Sequence, residues 1–270
     1  MACNGLSENW LNRFCGDAFW EQICASMKLQ SSELASTSGT RLYPTFIAIL
    51  GSYGEGISAV RENAELNSAV QLARFGSSFF AGEVSLHGEG ITLSQKLLTA
   101  FVERVDPQRN DVRKSEPPPA LGGIAPEFSE PPSLLQLSRS VRKQALDEYD
   151  IEGRTIPLVT GESLFESRYE PSPYFDFNGA HLLYFATYPT ISDNAERAFM
   201  NQQGGTDWAL RSSTMARHTF YLANLDLGDA VRVQVNYSAA GDGEHLLHTT
   251  ILRDHDGKRM AEVFTVKSVR

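Results

Sequence analysis

An α+β architecture is what this sequence predicts, with one long helix followed by antiparallel strands, laid down twice along the chain. Three observations predict it. A helical apolar pattern opens each half, period-two strand patterns follow each helix, and two residue pairs recur at one offset. Asn4-Gly5 returns as Asn178-Gly179 and Thr45-Phe46 as Thr219-Phe220, 174 residues on in both cases. A curved sheet wrapping its own helix has that order of elements, and two such units can share one sheet.

The first helix carries Leu6, Trp10, Phe14, Phe19 and Ile23, with Gly16 as a breaker near its middle. Strands are expected over 41–50, 69–75 and 79–87. Seven of the twelve prolines lie between Pro107 and Pro132, in a stretch that also holds Pro117-Pro118-Pro119, Gly122-Gly123 and the charged run Arg109 to Glu116. That composition marks a crossover. Residues 133–147 then read as a short helix with a basic face of Arg139, Arg142 and Lys143, and 155–160 as extended chain. The second helix carries Leu182, Leu183, Tyr184, Phe185, Ile191 and Phe199; Pro189 breaks it and Ser192-Asp193 restarts it. Strands follow over 215–225, 230–237, 246–253 and 260–269, with Asp254-His255-Asp256-Gly257 as a hairpin turn. The expected organisation is therefore a unit over 1–106, a crossover over 107–149 and a unit over 150–270, together a double hot-dog. With only three residues before Asn4, the first unit lacks the strand that usually precedes such a helix, or borrows one.

Composition narrows the partners. With 41% hydrophobic and 21% charged residues the chain is that of a folded protein, and 24 basic against 33 acidic residues leave a net charge of -9. That sign argues against nucleic acid as a main partner. No apolar run approaches the roughly 18 residues of a membrane span and no signal-peptide pattern opens the chain, so a cytoplasmic location is expected. Cys3, Cys15 and Cys24 read as reduced thiols, the nine-residue step between the last two putting them on opposite helix faces. Nucleophile-elbow, phosphate-loop and zinc-helix motifs are absent, and His245 and His248 fall on opposite faces of a strand; no metal is implied.

The most site-like string is Asp176-Phe177-Asn178-Gly179-Ala180-His181-Leu182-Leu183-Tyr184. An Asn-Gly at a helix start leaves backbone N–H groups to meet an anion or a carbonyl oxygen. An equal reading makes Asp176 or Asn178 a helix cap and Gly179 a turn residue. His181 on its own reads as a satisfied or exposed histidine. On a strand over 41–49, Arg41, Tyr43 and Thr45 share one face, so a cation and a hydroxyl flank a phenol. A phenol with a pKa of about 10 is a poor nucleophile unless a neighbouring positive charge lowers it. Arg41 is the candidate for that charge, although residue chemistry alone makes Tyr43 a structural side chain.

The Asn-Gly-His string resembles that of hot-dog thioesterases, with Leu182-Leu183 where those carry Asn-Asn. A narrower likeness spans both halves: Gly5-Leu6-Ser7-Glu8-Asn9-Trp10-Leu11, Gly16-Asp17 with Trp20, Arg41-Leu42-Tyr43, and Pro173-Tyr174-Phe175-Asp176-Phe177-Asn178-Gly179 with Leu182-Leu183-Tyr184-Phe185. Together these resemble the bifunctional acyltransferase/decarboxylases of the leinamycin polyketide pathway and their relatives. The resemblance implies loss of CO2 from a methylmalonyl-type thioester and passage of the acyl group from coenzyme A to an acyl carrier protein. It places the acyl-accepting role on Tyr43. Oxyanion donors would be Asn178 and Gly179, with His181 beside them and Arg41, Thr45 and Asp176 as substrate-binding residues. Acyl-CoA is then a substrate, no cofactor is required, an acidic carrier protein would meet a basic patch such as Arg139, Arg142 and Lys143, and a homodimer is allowed. By the 174-residue offset Arg217 stands where Tyr43 does, so the halves cannot offer identical chemistry, and Asn4 ranks below Asn178. Packing of one unit's helix start on the other's sheet would bring Tyr43 and Asn178 into one pocket. Two other readings stay open: thioesterase or dehydratase chemistry with Asp176 or His181 as base, and a catalytically silent module that binds acyl thioesters or carrier protein.

Overall fold

The structure is a computed structural model that describes residues 2, 4–106, 112–115, 125–158, 161–205 and 207–269. Helix α1 (Glu8–Ser26) opens it, capped by the Ser7 hydroxyl, which accepts from the Trp10 amide at 3.3 Å. Leu11, Cys15, Phe19 and Ile23 fall four apart along α1 and are fully buried. Strands β1 (Leu42–Ser52), β2 (Asn67–Phe75), β3 (Phe79–Gly88) and β4 (Ile91–Arg104) follow, with a short β5 (Val112–Lys114) beside β4. The crossover supplies helix α2 (Ser133–Lys143) and a hairpin of β6 (Glu148–Ile151) and β7 (Arg154–Pro157). After β8 (Phe165–Tyr169) come α3 (Thr187–Gln202), the single turn α4 (Trp208–Arg211), and β9 (Ser212–Tyr221), β10 (Val231–Gly241), β11 (Glu244–Arg253) and β12 (Arg259–Val269).

The strands form one antiparallel sheet in the order β2-β3-β4-β1-β9-β12-β11-β10-β8. Its two halves meet where β1 pairs with β9, from Ala48 opposite Phe220 to Ser52 opposite Ala216. One face wraps α1 and α3, each with its own apolar core. The other face is apolar too, because Ala48, Leu98, Phe220 and Phe264 point outward, and it needs a cover. Leu134, Leu135 and Val141 of α2 and Tyr149, Ile151 and Ile156 of the hairpin supply one, with Tyr149 stacked on Phe264 at 3.9 Å. The crossover is thus a third layer rather than a plain linker. Its Pro117-Pro118-Pro119 and Gly122-Gly123 and half of the Arg109–Glu116 run lie outside the described residues, as do Thr160 and Cys3 elsewhere in the chain. Its basic helix face is partly committed: Arg142 donates to the carbonyls of Leu222 and Tyr221 at 3.0 and 3.3 Å.

Four expectations change. Strand β4 is absent from the sequence reading although it lies inside the first half-sheet, because apolar residues occupy both faces over 97–102 and the alternation disappears. Asn178 is not at a helix start, since α3 begins at Thr187. Pro189 sits in the first turn of α3, where its missing N–H is not needed, so it does not break the helix. The repeat has no single offset: the buried face Thr187, Ile191, Ala195 and Phe199 places α3 176 residues after its counterpart in α1, while Leu42 and Ser212 start β1 and β9 170 apart. Asp193 therefore answers Asp17, and because the matching bulges at Ile47 of β1 and Met215 of β9 lie 168 apart, Arg211 rather than Arg217 answers Tyr43. On the outer edge of β2 the first unit borrows crossover chain: the Arg74 amide donates to Pro126 at 2.8 Å and Phe128 donates back to Arg74 at 2.9 Å. Cys15 and Cys24 are unpaired and buried, and burial pushes their thiols up to about 12 and about 11.

Candidate active site

Between β8 and α3 the chain folds back on itself. Asp176, buried, accepts from the Tyr169 hydroxyl at 2.9 Å and the Ser172 amide at 2.7 Å, and its carbonyl accepts from the Tyr184 amide at 2.7 Å. Asn178 Oδ1 accepts from the amides of Ala180 and Leu182, both at 3.0 Å, and the Asn178 amide donates to the Leu182 carbonyl at 3.0 Å. This is the side-chain-closed turn that asparagine favours over a helix start. His181 takes a positive φ of 57° inside it.

The folded turn leans on α1. A cavity of about 150 Å³ opens there, walled by Gly16, Asp17 and Trp20 of α1, Tyr43 and Phe46 of β1, and Asn178, Leu182 and Phe185 of the turn. A neighbouring cavity of about 350 Å³ shares Pro44, Phe46, Asn178, Leu182 and Phe185 with it. Those residues are a partition, and Phe46 and Phe185 form its apolar middle with centroids 4.3 Å apart. Glycine at position 16 makes room for it: a Cβ there would lie 2.4 Å from Phe185 Cζ.

Two polar ends on the first cavity have no protein hydrogen-bond partner among the described residues, the Tyr43 hydroxyl and Asn178 Nδ2. Because two backbone amides hold Oδ1, the Asn178 donors are left for a ligand. Asp17, exposed on its outer side, adds a carboxyl whose pKa is raised, by partial desolvation first and by Glu21 second, against the pull of Arg13. The rim is cationic: the Arg13 guanidinium lies 4.8 Å from the Tyr184 ring centroid and that of Arg41 5.5 Å from the Tyr43 ring.

Of the residues singled out in the sequence, Tyr43 and Asn178 thus line one cavity, from β1 and from the turn. Thr45 lines the neighbouring cavity, not that of Tyr43, and its hydroxyl donates to the Ala100 carbonyl at 3.3 Å. Arg41 is exposed and lies over the Tyr43 ring. Asp176, Gly179 and His181 line neither cavity: Asp176 holds the turn together, while Gly179 and His181 are exposed on it. Asp17 was overlooked as a site residue. Its i−4 and i+4 neighbours Arg13 and Glu21 read as an ordinary solvated helix face, and only the turn from the other unit makes that face a cavity wall.

An open sheet wrapping two central helices around one seam defines the double hot-dog class. No family model and no curated protein matches the chain. Solved structures do match in fold. A protein described as an oleoyl thioesterase from Lactobacillus plantarum superposes with a TM-score of 0.69 at 11% identity, over 99% of this chain and 89% of that one. An acyl-ACP thioesterase from Bacteroides thetaiotaomicron gives 0.58 at 7% identity over 98% and 91%. The 12:0-ACP thioesterase from Umbellularia californica gives 0.51 at 7% over 86% and 78%. At such identities the likeness is one of fold. No helix among the described residues is long and apolar enough to cross a membrane.

Proposed function

We propose that this protein is an enzyme of acyl thioesters, and that it hydrolyses an acyl-CoA or acyl-carrier thioester in the cavity shared by Asp17, Tyr43 and Asn178. The observation that carries the reading is the Asn178 side chain, which lines the cavity and whose carbonyl oxygen is fixed by two amides, so that its N–H donors are left without a partner among the described residues. Such a donor, held rigid before substrate arrives, suits the negative charge that develops on a thioester carbonyl oxygen. Asp17, its pKa raised by partial desolvation and by Glu21, takes a proton from water, the resulting hydroxide attacks the carbonyl carbon, and the tetrahedral oxyanion rests on Asn178 Nδ2. Collapse breaks the carbon–sulfur bond, and the leaving thiolate receives the proton from Asp17. The acyl chain lies along Trp20, Phe46 and Phe185. Solved relatives in fold that bear thioesterase names support this reading over its rival.

The rival is decarboxylating acyl transfer, and the unpartnered Tyr43 hydroxyl on the same wall favours it. There the phenol attacks the thioester and gives its proton to the departing CoA thiolate, CO2 leaves the acyl ester as an enolate that rests on Asn178 and takes a proton from water, and a carrier-protein thiol takes the propionyl group and returns its proton to the phenolate. One experiment separates the two: incubate the protein with a panel of acyl-CoAs that includes methylmalonyl-CoA, with and without phosphopantetheinylated carrier protein, and weigh the products. Free acid with free CoA, abolished in Asp17→Asn and retained in Tyr43→Phe, is the expected result. A propionyl-loaded carrier that disappears in Tyr43→Phe assigns the rival. No turnover of any thioester overturns both.

A further inference from the structure

The hydrolytic reading leaves the larger of the two neighbouring cavities, about 350 Å³, without an occupant. The seam between the half-sheets creates that space. β1 and β9 pair only from Ala48 to Ser52, so residues 44–47 and 221–224 diverge as two walls, and the Phe46–Phe185 partition closes the space toward the acyl cavity. Ile47, Phe79 and Val102 give it an apolar surface. Its charge is one-sided, because Lys114 of β5 and Arg142 of α2 line it and no carboxylate among the described residues does. Lys114 Nζ lies 4.2 Å from the Phe79 ring centroid and has no hydrogen bond or ion pair among the described residues. Arg142, from the basic face of α2, gives two of its five N–H donors to the Leu222 and Tyr221 carbonyls, which fix the guanidinium at the wall. Partial desolvation first and Arg259 second lower its pKa, and Arg259 is itself paired with Glu262 at 2.7 Å. An anion beside Arg142 would reverse that shift.

A neutral group adds to the same bias. Asn224 repeats the arrangement of Asn178: its Oδ1 accepts from the amides of Leu183 and Leu225 at 3.0 and 2.7 Å, which leaves its Nδ2 donors unspent among the described residues. We propose that this cavity binds an amphipathic oxyanion, an apolar chain lying on Ile47, Phe79 and Val102 whose carboxylate or phosphate end meets Lys114, Arg142 and Asn224. Apolar walls alone would take any lipid-like chain; two cations and no opposing acid select an anionic end. At roughly 30 Å³ per water-sized group the cavity holds about ten non-hydrogen atoms, a medium-length chain with its head. Asp17, Trp20 and Tyr43 lie on the acyl side of the partition and do not line it. The site therefore stands whether or not the acyl cavity hydrolyses thioesters.

The test is calorimetric titration of octanoate, octyl phosphate, octylamine and acetate separately into the full chain at fixed ionic strength. Saturable binding of octanoate or octyl phosphate supports the proposal when it is at least about a hundredfold tighter than that of acetate and weakens at least about tenfold in Lys114→Met, with Lys114→Arg keeping most of it. Response to octanoate alone identifies a carboxylic acid, response to octyl phosphate alone a phosphorylated chain, and response to both a site that reads only charge and tail. Lys143→Met, which removes a charge of the same helix that does not line the cavity, should leave binding unchanged. Lys114 is exposed, so the thermal midpoint of its unliganded variants should match the parent and show that the fold is intact. Octylamine bound as tightly as octanoate, no saturable binding of either anion, or equal losses in Lys114→Met and Lys143→Met overturns the proposal. Octanoate held at parental affinity in Lys114→Met sits elsewhere, the acyl cavity included, and overturns it too. Thioester turnover in the same preparations reports on the acyl cavity separately, so failure of either site is distinguishable from failure of the other.

Discussion

Replacing Gly16 with alanine tests whether α1 sets the wall of the acyl cavity. Two effects oppose each other. Alanine inside a helix is favoured over glycine by about 1 kcal/mol. The new methyl, however, would sit 2.4 Å from Phe185 Cζ and 3.1 Å from Cε2, so the ring must withdraw by about an ångström to reach ordinary carbon contact. It has little freedom to do so, with Phe46 at 4.3 Å on one side and Tyr184 at 4.7 Å on the other. Overpacking of this kind costs about 1–3 kcal/mol, which leaves a net destabilisation between about zero and 2 kcal/mol. For a chain of this size that lowers Tm by no more than about 8 °C, and the protein stays folded. Function is hit harder, because the displaced ring enters one of the two cavities whose partition it forms. We expect kcat/KM for thioester cleavage, followed by free-thiol release, to fall at least about tenfold, or 1.4 kcal/mol. Adding Phe185→Leu should recover much of the lost stability. Parental Tm together with parental kcat/KM in Gly16→Ala would refute the reasoning, since it would mean that the ring moves at no cost and that α1 does not shape the site.

Four further outcomes are expected. Asn178→Asp keeps the acceptor that closes the turn but loses both Nδ2 donors, so kcat/KM should drop about 10²-fold with little change in Tm, as steady-state kinetics and calorimetry will show. Arg217→Met leaves the buried carboxyls Glu8 and Glu196 and the half-exposed Asp193 with Lys267 as the one cation bonded to them, and urea unfolding should register a loss of about 3–5 kcal/mol. His218, pushed down from 6.5 to about 4 by burial and then by Lys96, is neutral in the fold, with the Tyr149 hydroxyl 2.7 Å from its Nδ1. Below 6.5 the unfolded chain takes up the proton and the folded chain does not. Stability should therefore fall by up to about 3 kcal/mol as pH drops from 6.5 to 4, and His218→Gln should flatten that slope in pH-dependent denaturation. Phe46→Ala opens the partition between the two cavities, and a chain-length series of acyl-CoAs should show the preference move to longer chains.

What the sequence made legible depended on whether local pattern and global packing agreed. α1 follows from the four-residue spacing of its apolar residues, and the edge-facing strands follow from alternation. β4 does not, because covering both faces of the sheet removes the period-two signal over Leu97, Leu98, Ala100, Phe101 and Val102. The Asn178-Gly179 turn was balanced between a cap and a tight turn. Contacts remote from it, Tyr169 on Asp176 and the Tyr184 amide folding back, decide for the turn. Asn4-Gly5 and Thr45-Phe46 recur at one spacing by coincidence of insertions, since the helices and strands are displaced by different amounts. Asp17 was invisible as a site residue for the same kind of reason: its role comes from the opposite unit. Only Tyr43 with Asn178 was foreseen as a cross-unit pair, from the way one unit's helix start packs on the other's sheet.

The most direct test of the central claim is a crystal structure of the protein with a non-hydrolysable acyl-CoA in which a methylene bridges sulfur and carbonyl. We predict the carbonyl oxygen within hydrogen-bond distance of Asn178 Nδ2, the acyl chain along Phe46 and Phe185, and the phosphates toward Arg13 and Arg41. A ligand seated in the separate cavity lined by Asp193 and Arg197, or bound on the outer face of the sheet, would contradict the account.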